Sequence, residues 1–292
     1  MRTFLRTVCS FLLISFVLFP AHAFSAQFQC EVLSVKGLAI ATNPEVGDRG
    51  LKSGDLLKQG DEVSVGDDSY VDLAYDKERQ NVTRLGSNTR IKIASVMPGK
   101  LDLKNGTLFA KLKKLPRDSE FEVKTPTAVA SVRGTEYLTK HVKGHTEVLN
   151  TSASPIFVYG FKSDGSIDKD TEVVLETAKK TSIQKAGQAP APPAVMTEEE
   201  QGAGETLTKA IQKNIEKAEG EGRKANIQTV EEIEAFIKET KEESASRVTA
   251  PPNESELSRV TDTRRRAFGG QKALAPPETE PTSEEPSKEE NV

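Results

Sequence analysis

The sequence predicts an all-β body of stacked short strands, of β-solenoid or sandwich type, followed by a helical and then disordered acidic tail. Three observations predict it: short alternating apolar runs between Gly and Asn turns, a Pro-rich segment near residue 190, and helical spacing beyond that segment. The predicted order is a signal peptide (1–26), a β domain (27–188), a Pro-rich linker (189–205), two charged amphipathic helices (206–243) and a disordered tail (244–292).

The N-terminus has the pattern of a secretory signal peptide. Arg2 and Arg6 precede an apolar run at residues 9–19, and the small-residue pattern Ala21-His22-Ala23 follows. The apolar run is too short to span a bilayer comfortably, and no later segment is more apolar. We therefore expect an exported protein, periplasmic or secreted, with no transmembrane segment in the mature chain.

Cys30 is the only cysteine after the signal peptide, so no intramolecular disulfide is expected. Lipidation of Cys30 is disfavoured, because the bulky residues Gln27-Phe28-Gln29 precede it. Burial of Cys30 as a small apolar side chain is the expected alternative.

Charge separates the body from the tail. Residues 27–196 carry 24 basic and 22 acidic residues, whereas residues 197–292 carry 14 basic and 22 acidic residues. A nearly neutral body lacks the concentrated positive surface that nucleic-acid binding requires, so we expect no nucleic-acid partner. The acidic tail is typical of a solvated segment.

The strands of the body are predicted from apolar positions two residues apart. These positions are Leu38 and Ile40, Val63 and Val65, Ile91 and Ile93, Leu101 and Leu103, and Phe121 and Val123. Asn105-Gly106 predicts a turn between two alternating runs, and Pro126 ends the strand before it.

Four Gly-Asp pairs, at residues 47, 54, 60 and 66, divide the first half of the body. Glycine adopts positive φ and aspartate can accept backbone hydrogen bonds, so these pairs predict tight turns. The acids could alternatively supply oxygens to Ca²⁺, but they lack the spacing of a calcium loop. The candidates are Asp48, Asp55, Asp61, Asp67 and Asp68.

Two helices are predicted in the tail. Leu207, Ile211 and Ile215 lie four residues apart, and Val230, Ile233 and Ile237 form a second stripe. Thr229 and Glu232 have the spacing of a capping box. The helices could pair with each other, with the β body or with a partner, and we expect deletion of residues 197–292 to leave the β body folded.

The segment TPTAVASVRGTEY, residues 125–137, changes its alternation at Arg133-Gly134. Val132 and Tyr137 are apolar but lie five residues apart, an odd offset that breaks the two-residue period of a strand. A bulge or tight corner at Gly134 explains the change, since glycine readily adopts positive φ. Arg133 either contacts a partner or ligand, or reaches a nearby acid or carbonyl as a structural residue, which is the favoured interpretation.

Residues 121–137 (FEVKTPTAVASVRGTEY) resemble the hallmark segment of the FecR domain family, and the similarity extends in family order over residues 29–188. It implies stacked short strands and an exported binding module, without the membrane span and cytoplasmic part of FecR-type regulators. The motif residues, expected to be structural, are Thr125, Pro126, Arg133, Gly134, Thr135 and Tyr137.

We find no motif of catalysis in the sequence. His141 and His145 lie four residues apart, but Gly144 and the surrounding β pattern argue against a zinc-binding helix, and we expect loop histidines. The expected protein is non-enzymatic, without cofactor or metal, and interacts with an envelope protein or polysaccharide. A small-ligand sensor or signalling accessory is the alternative, and a hydrolase is a more distant one.

Overall fold

The computed structural model describes residues 28–249, in which seventeen strands precede two helices. The strands are β1 (Gln29–Lys36), β2 (Ala39–Asn43), β3 (Gly47–Gly50), β4 (Leu56–Lys58), β5 (Glu62–Val65), β6 (Tyr70–Ala74), β7 (Asn81–Leu85), β8 (Arg90–Ser95), β9 (Lys100–Leu112), β10 (Phe121–Lys124), β11 (Val129–Val132), β12 (Glu136–Val142), β13 (His145–Asn150), β14 (Ile156–Phe161), β15 (Ile167–Leu175), β16 (Lys179–Ile183) and β17 (Ala194–Val195). The helices are α1 (Glu198–Gly220) and α2 (Val230–Thr249). The predicted β body with helices behind it is confirmed.

The strands form one hydrogen-bonded network that divides into two layers sharing β9. The first layer, here called the covered sheet, has the order β4-β1-β6-β7-β9-β12-β13-β16-β17. The second, here called the exposed sheet, has the order β3-β2-β5-β8-β9-β10-β11-β14-β15. Only β9 and β10 pair in parallel among the described strands, so the arrangement is an antiparallel sandwich rather than a solenoid.

The predicted turn at Asn105-Gly106 is wrong. Both residues lie inside β9, whose first half pairs with β8 in the exposed sheet and whose second half pairs with β7 and β12 in the covered sheet. Gly106 has φ +102°, and a Cβ atom there would lie 2.5 Å from Cα of Thr89. The glycine therefore bends one long strand from one layer into the other, instead of reversing the chain.

The two layers pack face to face around one apolar core. Tyr75, beside the covered sheet, meets Phe121 of the exposed sheet edge to face, with ring centroids 5.3 Å apart. Eight of the ten apolar positions used to predict strands are buried, among them Val63, Ile91 and Leu101. The prediction is wrong for the other two, since Leu38 is exposed and Ile40 is partly exposed. Cys30 is fully buried in this core, as expected, and burial together with Asp61 raises the pKa of its thiol to about 12.

Three of the four Gly-Asp pairs lie at turns, whereas Gly47-Asp48 begins β3 directly after one. Gly47, Gly54 and Gly60 have φ values between +86° and +94°. Asp55 and Asp61 each accept a hydrogen bond from the backbone N–H three residues earlier, at 2.9 and 3.0 Å. Among the side chains that the structure describes, at residues 28–242, no group of three or more His, Cys, Asp or Glu is arranged to hold a metal ion.

The helices differ from the predicted boundaries. Helix α1 begins at Glu198, within the predicted linker, because Thr197 and Glu200 form a capping box. The segment before it is held against the body as well, since Ala191 N–H donates to the Ser182 carbonyl at 2.9 Å. Helix α2 begins after Thr229, whose predicted capping box with Glu232 is present, and continues to Thr249 rather than ending at residue 243.

Helix α1 packs on the outer face of the covered sheet. Its buried residues Ile211, Ile215 and Ala218 form a second apolar cluster with sheet residues Leu33, Ala74, Val82 and Phe109. Asn214 donates at 2.7 Å to Asp72, whose carboxylate also receives two hydrogen bonds from Arg84 at 2.6 and 2.7 Å. Apolar burial and this polar contact together fix α1 to the sheet.

Helix α2 contributes to the main core. Ile233 is buried in that core, Ile237 packs against it, and the rings of Phe28 and Phe236 meet edge to face at 5.1 Å. Of the three alternatives for the helices, attachment to the β body is therefore the one observed. The chain divides into a compact unit that ends at Lys238 and a second unit from Glu239.

The predicted signal peptide, and the part of the predicted disordered tail from residue 250 onward, lie outside the described residues. Neither α1 nor α2 has the length and apolar content that crossing a membrane requires.

Candidate interaction site

The Thr125-Pro126 segment forms a tight turn between β10 and β11. Thr125 N–H donates to the Ala128 carbonyl at 2.8 Å, and the Thr125 hydroxyl accepts from Ala128 N–H at 2.9 Å. Pro126 is exposed at the turn, where its missing N–H removes no ladder hydrogen bond. These two residues determine where β11 begins.

A buried hydroxyl cluster joins this turn to the covered sheet. The Thr146 hydroxyl lies 2.8 Å from that of Thr125 and 2.6 Å from that of Thr127, and Nδ1 of His141 lies 2.8 Å from the same hydroxyl. His141 and His145 lie in strands β12 and β13, so the expectation of loop histidines is wrong. Burial, assisted by His145, lowers the pKa of His141.

The change of alternation at residues 133–134 marks the crossing from one layer to the other. Strand β11 pairs in the exposed sheet and β12 in the covered sheet, with Gly134 between them at φ +133°. Val132 and Tyr137 both face the shared core, from opposite layers, which accounts for their odd spacing. Thr135 fixes the far side of the crossing by hydrogen bonds to the Ser152 hydroxyl and, at 3.3 Å, to the Ser154 carbonyl.

Arg133 projects from this crossing into solvent, and its side chain is 77% exposed. Its Nη2 and Nε atoms both lie 3.2 Å from Oε1 of Glu120. The second oxygen of Glu120 accepts a hydrogen bond from the Ser131 hydroxyl at 2.7 Å. Arg133 is therefore oriented on the surface by a carboxylate while its remaining N–H groups stay accessible.

Arg133 and Glu120 line one side of an open groove of about 520 Å³, here called the motif groove. Its other lining residues are Gly134, Ser154, Pro155, Phe157, Tyr159 and Glu172. Phe157 and Tyr159 lie two residues apart on β14, partly exposed on the outer face, while Ile156 and Val158 face the core. The groove thus has an aromatic base and charged walls.

Hydroxyl groups hold both carboxylates of the groove. The hydrogen bond from Ser131, with Arg133 beside it, lowers the pKa of Glu120. The Tyr159 hydroxyl donates to Glu172 at 2.6 Å, and burial together with this contact raises the pKa of Tyr159 to about 12. The lowered pKa of Glu120 is the opposite of what a general acid in a hydrolase requires.

The groove adjoins the edge of the exposed sheet. Strand β15 pairs with β14 alone among the described strands, so its other edge is open to a further strand. Its side chains Asp168, Asp170 and Glu172 are acidic, with Lys169 as the only cation in the strand. Groove and edge together form an acidic surface with exposed aromatic and backbone groups.

The sequence motif identified only part of this site. Arg133 and Gly134 line the groove, whereas Thr125 is buried in the β10–β11 turn and Thr135 and Tyr137 are buried at the crossing. Glu120, Phe157, Tyr159 and Glu172 were not predicted as site residues. The aromatic residues of the segment PIFVYGF, on the alternate parity to Ile156 and Val158, were the available signal for two of them.

Comparison with known proteins gives a family for part of the chain. Residues 61–152 match the family described as FecR protein, so the chain carries a FecR domain. No curated protein matches the chain.

Two crystal structures of a candidate anti-sigma factor from Parabacteroides distasonis, at 2.50 and 1.65 Å resolution, are similar to the chain. Each is 13% identical, with a TM-score of 0.37. Each match covers 46% of this chain and 59% of the other protein's length.

Proposed function

We propose that this chain, with the FecR domain at residues 61–152, is an exported, non-enzymatic binding module of the cell envelope. The observation that carries the proposal is the motif groove, where Arg133 of the family motif lies beside Phe157 and Tyr159 next to an open sheet edge. Aromatic and arginine side chains are enriched at protein interfaces and carry a large share of their binding energy.

The partner that this surface fits is a protein segment in extended conformation with basic side chains. Such a segment can pair with the free edge of β15 by backbone hydrogen bonds and place side chains in the groove. Asp168, Asp170 and Glu172 attract cationic groups and repel acidic polysaccharides. A neutral polysaccharide stacked on Phe157 and Tyr159 is an alternative partner.

Export is part of the proposal and rests on the signal-peptide pattern of residues 1–26. Fractionation of cells that express the tagged full chain tests it. We expect the tag in the periplasm or medium, on a protein shortened near residue 26. A full-length protein in the cytoplasm would contradict export.

In-cell cross-linking of the tagged protein tests the binding function. We expect one envelope protein to be captured by the wild type and by Lys92→Ala, a change at an exposed position of β8 in the same sheet. A double variant, Arg133→Ala with Tyr159→Ala, should lose the capture. Both variants change exposed or partly exposed side chains, so circular dichroism should show unaltered folding.

Two results would decide against this assignment. Equal capture by the groove variant would place the interface elsewhere on the protein. If no protein is captured and the purified protein instead binds a solute, the chain would be a small-ligand sensor.

A further inference from the structure

A second concave surface lies between α1 and strands β9 and β12, and is here called the basic cleft. Its volume is about 320 Å³. It is lined by Lys111, Lys113, Glu136, Thr208, Lys209, Gln212, Lys213 and Glu216. The lining therefore contains four lysines and two glutamates, so its net charge is positive.

Lys111 is the central residue of the basic cleft. Its residue surface is only 3% exposed, and Nζ donates to Oε1 of Gln212 at 2.8 Å. Among residues 28–242, whose side chains the structure describes, no carboxylate comes within 4.0 Å of this ammonium group. A lysine ammonium has three N–H donors, so one hydrogen bond to a neutral amide leaves this charge without a carboxylate in direct contact.

The two acids of the basic cleft are engaged elsewhere. Glu136 lies directly opposite Lys111 in the β9–β12 register, yet its carboxylate accepts from the Thr208 hydroxyl at 2.8 Å. Glu216 accepts from the side-chain amide of Gln212 at 3.2 Å. Burial, and secondly Lys113, lowers the pKa of Lys111, and Glu136 and Glu216 offset only part of this effect.

We propose that the basic cleft binds a tetrahedral oxyanion, a phosphate or sulfate group, with Lys111 at its base and Lys113, Lys209 and Lys213 around its rim. A doubly charged anion has several acceptor oxygens, so it can receive hydrogen bonds from more than one ammonium group at once. It also provides the direct ion pair that the buried Lys111 lacks. The group is either a free inorganic anion or part of an ester.

Binding of inorganic phosphate to the purified mature protein tests the proposal. We expect phosphate to raise the unfolding temperature more than sodium chloride of equal ionic strength, since a ligand of the folded state stabilises it. Lys111→Met should weaken phosphate binding by about tenfold or more, measured by calorimetry. Lys104→Met, at an exposed lysine in the other half of β9, should bind as the wild type does.

Lys111→Met has a second expected effect that a purely structural lysine would not show. Without phosphate the variant should unfold at a higher temperature than the wild type, because an unpaired buried charge is removed. Lys213→Gln changes an exposed rim residue and should also weaken phosphate binding, which keeps the test usable if Lys111→Met fails to fold. Equal phosphate affinity in Lys213→Gln, Lys104→Met and the wild type, or no response beyond that to chloride, would overturn the proposal.

Glycerol phosphate distinguishes the two sources of the anion. Binding at least as tight as that of inorganic phosphate would assign the basic cleft to a phosphoester group, such as a phosphorylated sugar or a lipid headgroup. Binding of inorganic phosphate alone would assign it to the free anion. Failure of this site would leave the motif groove, on the other sheet, unaffected.

Discussion

Tyr137 is a motif residue whose ring stabilises the fold and whose hydroxyl destabilises it. Its ring is fully buried in the core, and its hydroxyl has no hydrogen-bond partner among the side chains and backbone that the structure describes. Burial raises the pKa of this hydroxyl, so it remains neutral. The apolar ring therefore contributes packing at the layer crossing while its oxygen is unsatisfied.

Tyr137→Phe should therefore stabilise the protein, by about 1 kcal/mol, since an unsatisfied buried hydroxyl is removed. Tyr75→Phe is the matched control, because the equally buried Tyr75 hydroxyl lies 3.0 Å from that of Thr83. This second change should destabilise the protein by about 1 kcal/mol. Urea unfolding measures both, and a loss of stability in Tyr137→Phe would contradict the assignment.

His141 gives the fold a pH dependence. Burial lowers its pKa in the folded state below the ordinary value of 6.5, so the unfolded chain takes up the proton first. Its contribution to stability is complete above about pH 6.5 and is lost as the pH falls toward the lower folded pKa. As the pH falls from about 7 to 5, the free energy of unfolding should decrease less in His141→Gln than in the wild type. Parallel stability profiles in urea unfolding would contradict this role.

At the residue scale, the sequence predicts the backbone conformation of a residue better than it predicts which side chains that residue contacts. Positive φ at Gly134 is predictable, because an odd apolar offset in a strand needs a corner and glycine tolerates one. The contacts of Arg133 with Glu120 and of Tyr159 with Glu172 join residues thirteen positions apart. Such contacts depend on strand register, which a local pattern does not determine.

At the element scale, strand β9 contains Asn105-Gly106, a dipeptide that predicts a turn but does not form one here. Asn105-Gly106 between alternating runs is typical of a hairpin, yet the chain continues forward. The close approach of Thr89 requires a residue without Cβ at Gly106, and the positive φ turns the strand between layers. The same residue types serve both geometries, so the sequence alone does not separate them.

Gly106→Ala should destabilise the protein by about 3 kcal/mol or more, because both the positive φ and contact with Thr89 oppose a Cβ atom. Gly165→Ala is the control, since Gly165 has φ +81° but no atom within 4 Å of the added carbon. The control should lose only about 1 kcal/mol. Equal losses, measured by denaturant unfolding, would show that the layer crossing does not depend on close packing at Gly106.

At the scale of the whole molecule, the helices belong to the folded body. The apolar stripes of α1 and α2 predict two amphipathic helices, but stripes do not reveal which surface covers them. The structure places Ile211 and Ile215 on the covered sheet and Ile233 in the main core. That the β body stays folded after deletion of residues 197–292 remains a prediction, but these contacts indicate that the deletion reduces its stability.

Deletion of residues 239–292 should leave the cooperative unfolding transition unchanged, because the first compact unit ends at Lys238. Deletion of residues 197–292 should remove about 5 kcal/mol or more, since Ile211, Ile215 and Ile233 each contribute about 2 kcal/mol by burial. Thermal unfolding of both variants measures this. Equal midpoints in the two deletions would show that the β body is stable without its helices.

The most direct test of the binding function is position-specific photo-cross-linking in cells. A photoreactive residue replaces Tyr159 in the motif groove or, as the control, Lys92 on the same sheet. We expect the residue at position 159, but not that at position 92, to capture one envelope protein through an extended basic segment, and Glu172→Lys should reduce the yield. Equal capture from both positions, or none from position 159, would contradict the assignment of the groove as the binding surface.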